Sequence, residues 1–209
     1  MFISDFFSVP VTCVQLQNNI TEEEIQFLEI KEKEVENHEG TKLTIDKHIL
    51  DDTKLSRLRK EIKTLTNEYF QKVFKPGKNI ELEITESWLS ITEMGGYQTK
   101  HNHPDSVISG IINVQMDPND YFTFHNPQKN IIMDNIKKIS DKPIREYTKW
   151  TSESWVMGEF DDDKNRKLVL LPSFVHQEIE KREIKVHDFE IKKRINLCFK
   201  TKMQKKLGK

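Results

Sequence analysis

The chain has 209 residues, enough for one full-sized domain with a buried core. Its 33 Lys and Arg residues nearly balance its 34 Asp and Glu residues, so the formal net charge of -1 gives no electrostatic basis for binding nucleic acid or a membrane surface. Hydrophobic residues make up 35% of the chain and are bunched into short runs, which indicates a globular protein and excludes a largely disordered one.

The two cysteines, Cys13 and Cys198, are far apart and lack the Cys-x-x-Cys spacing, which favours a reducing compartment. The start of the chain has no basic and apolar signal segment, and no apolar stretch reaches the roughly 18 residues that a membrane helix requires. We therefore expect a cytoplasmic protein without a nucleic-acid or membrane partner.

The first third of the sequence predicts a short strand followed by two helices. The strand lies in FFSVPVTCVQL and is broken by Pro10. Thr21 followed three residues later by Glu24 is a capping-box pattern that begins a helix. A longer helix is predicted over residues 50–74, where apolar residues recur at spacings of three and four: Leu55, Leu58, Ile62, Leu65 and Tyr69.

From residue 80 the sequence has the pattern of β-strands. Ile80, Leu82 and Ile84 alternate with acidic residues, and Gly95 and Gly96 mark a turn. Residues 125–155 are polar, broken by prolines and without periodicity, so they predict an excursion from the sheet.

Two β-rich runs close the sequence, LVLLPSFVHQEIE and IKKRINLCFKT, and they are expected to pair as neighbours. Helices followed by strands predict an α+β, mainly β domain in which the helices pack on one face of an antiparallel sandwich or barrel. Small barrels of this kind hold a ligand inside.

The stretch KHNHPDSVISGIINV is the first candidate site. His101, His103 and Asp105 occupy alternate positions, and on an extended strand such residues share one face, although Pro104 is expected to bend the strand. A His-x-His pair on a strand is a frequent metal-binding arrangement, but it also occurs on surface strands. His176 is the candidate third ligand because it lies in the apolar run LLPSFVH, where the alternative is a core histidine bonded to the backbone.

Arg194 is the second candidate. It precedes an alternating strand in which Ile195, Leu197 and Phe199 form one face and Arg194, Asn196 and Cys198 form the other. An arginine that points into a barrel binds an anion, typically a carboxylate held by two hydrogen bonds. The alternative is an arginine at a strand end that reaches solvent, and the pattern alone leaves both open.

The order of these elements from Trp88 to Phe199 resembles the 2-oxoglutarate/iron(II)-dependent oxygenase family found in bacteria and marine phages. HNHPDSVISG and LPSFVH are the specific parts of the resemblance. It implies a double-stranded β-helix, also described as a jelly-roll or cupin-like fold. The whole chain, residues 1–209, is then one domain with an N-terminal strand and helices over about 1–76 and a β-helix core over about 78–202.

The resemblance also implies function. Fe(II) and 2-oxoglutarate are the expected cofactors, O2 is a cosubstrate, and an unidentified substrate is hydroxylated with release of succinate and CO2. No catalytic residue is expected beyond the metal ligands. A cupin-like metal protein without oxygenase activity and an inactive interaction module are the alternatives. Carried over residue by residue, the resemblance assigns the metal to His101, His103 and His176, with Asp105 as the alternate ligand. It assigns 2-oxoglutarate to Arg194, Tyr97 and Gln98, and Lys192 and Lys193 are substitutes for Arg194.

Overall fold

The computed structural model describes residues 10–38, 40–93, 96–115, 122–125, 154–157, 167–172, 176–179 and 193–205. Two helices and eleven strands lie in these ranges. The helices are α1 (Glu22–Lys31) and α2 (Ser56–Phe74).

The capping box predicted at the start of α1 is confirmed. The Thr21 hydroxyl accepts a hydrogen bond from the Glu24 N–H at 3.3 Å, and the Glu24 carboxylate accepts one from the Thr21 N–H at 2.8 Å. Arg57 of α2 donates its Nε–H to the same carboxylate at 3.2 Å, so this cap also ties the two helices together.

The second helix begins later than the predicted residue 50. Residues 49–51 and 53–55 form two short 3-10 turns, because Asp52 is extended between them and its side chain accepts a hydrogen bond from the Lys54 N–H. The helix ends as predicted before Pro76, with Lys75 in the left-handed region at a φ of 47°.

The strands form two sheets whose pairings are all antiparallel within the described ranges. The major sheet has the order β1-β9-β6-β11-β4-β3-β2, and the minor sheet has the order β5-β10-β7-β8. The major-sheet strands are β1 (Thr12–Gln15), β2 (Val35–His38), β3 (Thr41–Thr44), β4 (Ile80–Glu93), β6 (Ile108–Gln115), β9 (Lys167–Pro172) and β11 (Lys193–Lys205). The minor-sheet strands are β5 (Gln98–His101), β7 (Phe122–His125), β8 (Ser154–Met157) and β10 (His176–Ile179).

From β4 to β11 the chain passes back and forth between the two sheets, which is the topology of a double-stranded β-helix and confirms the predicted fold class. The expected pairing of the two C-terminal runs is wrong. β6 lies between β9 and β11, and β10 belongs to the other sheet, because each crossing places consecutive strands in different sheets. The hairpin of β2 and β3 was not predicted, since its short strands are polar and lie at the sheet edge.

The helices pack on one face of the major sheet, as predicted. Leu58, Ile62 and Phe70 of α2 share a buried cluster with Leu197 and Phe199 of β11. We call this the outer face of the sheet.

The opposite, inner face is also buried. Cross-strand neighbours point to the same face, and the register aligns Trp88 with Cys198, Cys198 with Ile111, and Ile111 with Val169. These four residues are buried yet lie outside the helix-covered cluster. Neither described helix is long and apolar enough to cross a membrane.

Candidate metal and cosubstrate site

The two histidines of the His-x-His pair come together at the end of β5. His101 is the last residue of that strand, and the ring centroids of His101 and His103 are 5.3 Å apart. Two imidazoles that bind one ion at about 2.1 Å each have centroids roughly 4.5–5.5 Å apart. The observed separation therefore fits a shared metal ion.

The bend expected at Pro104 is present. β5 ends at His101, and the chain turns at Pro104 and Asp105, where Asp105 takes a left-handed conformation with a φ of 59°. Asp105 is exposed, whereas His103 is only 6% exposed. The turn therefore separates Asp105 from the face on which alternation alone had placed it.

Hydrogen bonds orient both imidazoles. His101 Nδ1 lies 2.8 Å from the carbonyl oxygen of Thr99, which can only accept, so Nδ1 carries the hydrogen. Nε2 is then the unprotonated nitrogen of the neutral ring, the atom that a metal requires. His103 Nδ1 lies 2.8 Å from the hydroxyl oxygen of Ser109.

His103 is held in its neutral form. Burial, assisted by the charges of His101 and Lys200, lowers the pKa of His103 to about 3. The ring also packs edge-on against Trp88, with centroids 5.1 Å apart. A neutral, immobilised imidazole is suited to metal coordination.

The backbone of His176 lies beside these histidines. In the minor sheet His176 pairs with His125, and the next residue, Gln177, pairs with His101. The backbones of His101 and His176 thus lie on neighbouring strands, and His103 follows two residues after the end of β5. Among the side chains that the structure describes, no group of three or more His, Cys, Asp or Glu residues is close enough to hold a metal ion.

Arg194 is buried on the inner face. It is 8% exposed, pairs with Thr92 of β4, and donates a hydrogen bond to the Gly96 carbonyl at 3.3 Å. The alternative of an arginine that reaches solvent is therefore wrong. Lys200, six residues after Arg194 on β11, pairs with Ser109, the hydrogen-bond partner of His103. Arg194 and Ser109 therefore lie at opposite ends of the same inner face.

Two asparagines lie between these ends and were missed in the sequence. Asn113 and Asn196 are cross-strand partners and are almost completely buried. Within the described part of the chain, both amide atoms of Asn113 and the Oδ1 atom of Asn196 lack a hydrogen-bond partner. Such atoms cost about 1–3 kcal/mol each when left unsatisfied, so they indicate a polar group or water beside them. The alternation of RINLCF, with Asn196 on the face of Arg194, was the available signal.

Tyr97 and Gln98, the other predicted cosubstrate residues, follow Gly96. The Tyr97 side chain is 42% exposed and lies against Gly40, where an added Cβ would stand 3.6 Å from the ring. Gln98 is half-buried and begins β5. Their roles stay predictions.

Residues 86–187 match the sequence family described as "Putative 2OG-Fe(II) oxygenase". The match contains all three candidate metal ligands. The match, over just under half of the chain, bears out the predicted resemblance to this oxygenase family. The predicted enzyme class and the predicted cofactors, iron(II) and 2-oxoglutarate, are thereby confirmed. Arg194 lies beyond the matched residues, and no curated protein matches this chain by sequence.

Solved structures resemble this chain in fold. A Pseudomonas putida prolyl-4-hydroxylase is 11% identical with a TM-score of 0.54, covering 96% of this chain and 95% of that one. OsALKBH1 is 9% identical with a TM-score of 0.52, covering 94% and 98%. HygX from Streptomyces hygroscopicus, with nickel and 2-oxoglutarate bound, is 7% identical with a TM-score of 0.50, covering 92% and 82%.

Proposed function

We propose that this oxygenase hydroxylates an unidentified substrate at an iron(II) ion held by His101, His103 and His176, with 2-oxoglutarate held by Arg194. The observation that carries the proposal is the His101/His103 pair, whose rings are 5.3 Å apart and whose Nδ1 atoms are both engaged by oxygen atoms. With Nδ1 of each ring in a hydrogen bond, Nε2 is the atom of each histidine that would coordinate the metal ion.

When bound, iron(II) with 2-oxoglutarate supplies the oxidative decarboxylation that yields succinate and CO2 and oxidises the substrate. The histidines contribute neutral nitrogen ligands, and the burial of His103 keeps its ring neutral across the physiological range. Asp105 is exposed and lies in the turn, which favours a three-histidine set over one that includes this carboxylate.

Arg194 supplies the positive charge that a dicarboxylate needs. A buried guanidinium can form two parallel charge-assisted hydrogen bonds with a carboxylate. The unsatisfied amides of Asn113 and Asn196, on the same face, offer further polar contacts to a bound ligand. These polar groups lie on the inner face between Arg194 and Ser109, the hydrogen-bond partner of His103.

The ligand set is tested by anaerobic titration of the purified protein with Fe(II) or Co(II), with circular dichroism to verify folding. His101→Ala, His103→Ala and His176→Ala are each expected to lose metal binding, and Asp105→Ala is expected to keep most of it. Gln177→Ala is the matched control for His176, because a shift of one residue exchanges the faces of a strand. Loss of binding in Gln177→Ala, with His176→Ala unchanged, would overturn the assignment of His176.

The role of Arg194 is tested by 2-oxoglutarate affinity. A charge-assisted contact contributes about 1.5–3 kcal/mol, so Arg194→Ala should weaken 2-oxoglutarate binding roughly ten- to a hundred-fold and leave iron affinity nearly unchanged. Lys193→Ala is the control, because Lys193 forms an ion pair with Glu32 on the other side of the strand. An unchanged 2-oxoglutarate affinity in Arg194→Ala would move the assignment to another basic residue.

We also propose that residues 1–209 form one domain that works in the cytoplasm. Support for one domain comes from the hydrophobic cluster, which joins residues of α1 and α2 to residues of the strand core. Support for a reducing compartment comes from Cys13 and Cys198, the two cysteines of the sequence, which are not joined in a disulfide.

A further inference from the structure

We propose that Ser109 is a positioning residue, which accepts the Nδ1–H hydrogen bond of metal-bound His103 and thereby raises the affinity of the metal site. The inference rests on the proposed ligand role of His103. The Ser109 hydroxyl oxygen and His103 Nδ1 are 2.8 Å apart, and both residues are buried, at 2% and 6% exposure.

The direction of this hydrogen bond decides which ring nitrogen can bind metal. A neutral imidazole has one N–H, and a hydroxyl can either donate or accept. If Ser109 accepts, the hydrogen is on Nδ1 and Nε2 keeps its lone pair. If Ser109 donates, the hydrogen is on Nε2 and this nitrogen cannot bind a metal. Metal binding through Nε2 therefore requires Ser109 to accept.

His101 provides an internal contrast. Its Nδ1 partner is the Thr99 carbonyl oxygen, a backbone acceptor that cannot donate and that no side-chain substitution removes. The tautomer of His101 is thus fixed by the main chain. The Nδ1 partner of His103 is a side-chain hydroxyl, so a single substitution removes it.

The site around His103 limits how the ring can compensate. Trp88 packs against the imidazole at an interplanar angle of 77°, and Ser109 lies on β6 opposite Lys200 of β11. Without the hydroxyl, a metal-bound His103 would keep a buried Nδ1–H whose acceptor has been removed. Loss of the hydrogen bond to the non-coordinating nitrogen of a metal-binding histidine typically lowers metal affinity by about 10–100-fold.

The test compares Ser109→Ala with Ser106→Ala in the full chain. Ser106 is the matched control because its hydroxyl donates to the carbonyl oxygens of Ile108 and Thr201 on the same segment. Co(II) affinity is measured by anaerobic titration, the histidine tautomers by 15N NMR of the zinc-bound protein, and folding by circular dichroism. Ser109→Thr keeps a hydroxyl and serves as the conservative variant.

Ser109→Ala should lose ten- to a hundred-fold in Co(II) affinity while its thermal midpoint changes no more than that of Ser106→Ala, which should bind Co(II) normally. Ser109→Thr should restore most of the affinity. The Nδ1–H resonance of His103 should shift in Ser109→Ala, whereas that of His101 should not.

Normal Co(II) affinity in Ser109→Ala, together with loss of binding in His103→Ala, would refute the positioning role and leave the proposed ligand set standing. Normal affinity in His103→Ala would refute both, because a residue cannot position a ligand that does not bind. Equal losses in Ser109→Ala and Ser106→Ala would make the effect one of general stability and would also refute the proposal.

Discussion

Gly110→Ala is expected to destabilise the protein by forcing a methyl group into the Phe199 ring. A Cβ atom added at Gly110 would stand 2.0 Å from Cζ and 2.1 Å from Cε1 of that ring. Carbon atoms pack at about 3.5–4.0 Å, so the ring must move by roughly 1.5 Å or more. Phe199 is completely buried within the cluster beneath the helices, so no open space receives it.

Overpacking of this kind costs about 1–3 kcal/mol, and loss of the glycine's freedom in the unfolded chain offsets only about 0.4–1 kcal/mol of it. For a chain of this length a loss of 1 kcal/mol lowers the melting temperature by about 2–4 °C. Urea denaturation followed by circular dichroism measures the free energy of unfolding. Gly77→Ala is the control, because its new Cβ would lie 4.0 Å from the nearest neighbouring atom, an ordinary contact with Ile80.

The double variant Gly110→Ala/Phe199→Leu should lose less free energy of unfolding than the two single variants lose together. The smaller leucine side chain leaves room for the new methyl group, and the methyl group fills part of the space that the ring leaves. A Gly110→Ala protein as stable as the wild type would mean that the ring does not lie over Gly110. The pairing of β6 with β11, which supports both Ser109 and Arg194, would then be wrong.

Three further predictions concern the fold. Lys75→Gly should raise the free energy of unfolding by about 0.5–1 kcal/mol in urea denaturation, because Lys75 holds a left-handed conformation, and Lys78→Gly should give no such gain. Ellman's reagent at pH 8 should modify the exposed Cys13 but not Cys198, since burial raises the pKa of the Cys198 thiol to about 12; modification of both in folded protein would contradict the structure. Burial also raises the pKa of Tyr69, so both groups bind protons more tightly in the folded state. The unfolding free energy should therefore fall as the pH rises above about 9, and a flat profile from pH 8 to 11 would refute this.

Local patterns in the sequence were sufficient for the elements that local chemistry determines. The capping box at Thr21 and the apolar spacing of α2 predicted both helices. Alternation in RINLCF placed Ile195, Leu197 and Phe199 in the helix-covered cluster and Arg194 on the other face. The specific motifs then indicated the oxygenase family, which the family match confirmed.

Long-range pairing was not predictable in the same way. The partners of β9 and β11 depend on how the chain crosses between two sheets, and a strand's own residues carry little information about which neighbour it joins. The end of β5 at His101 had a visible local cause in Pro104, but the left-handed turn at Asp105 depends on the surrounding structure. The role of Ser109 was not predictable, because nothing local indicates that its hydroxyl meets His103, six residues earlier in the chain.

The most direct test of the central claim is succinate formation by the purified protein. With iron(II), ascorbate, O2 and 2-oxoglutarate but no further substrate, the account predicts slow, uncoupled conversion of 2-oxoglutarate to succinate. The conversion should be absent in a folded His103→Ala variant and reduced in Arg194→Ala at subsaturating 2-oxoglutarate. If the wild type binds iron yet forms no succinate above the control without enzyme, the oxygenase account is contradicted, and a metal-binding protein without this activity takes its place.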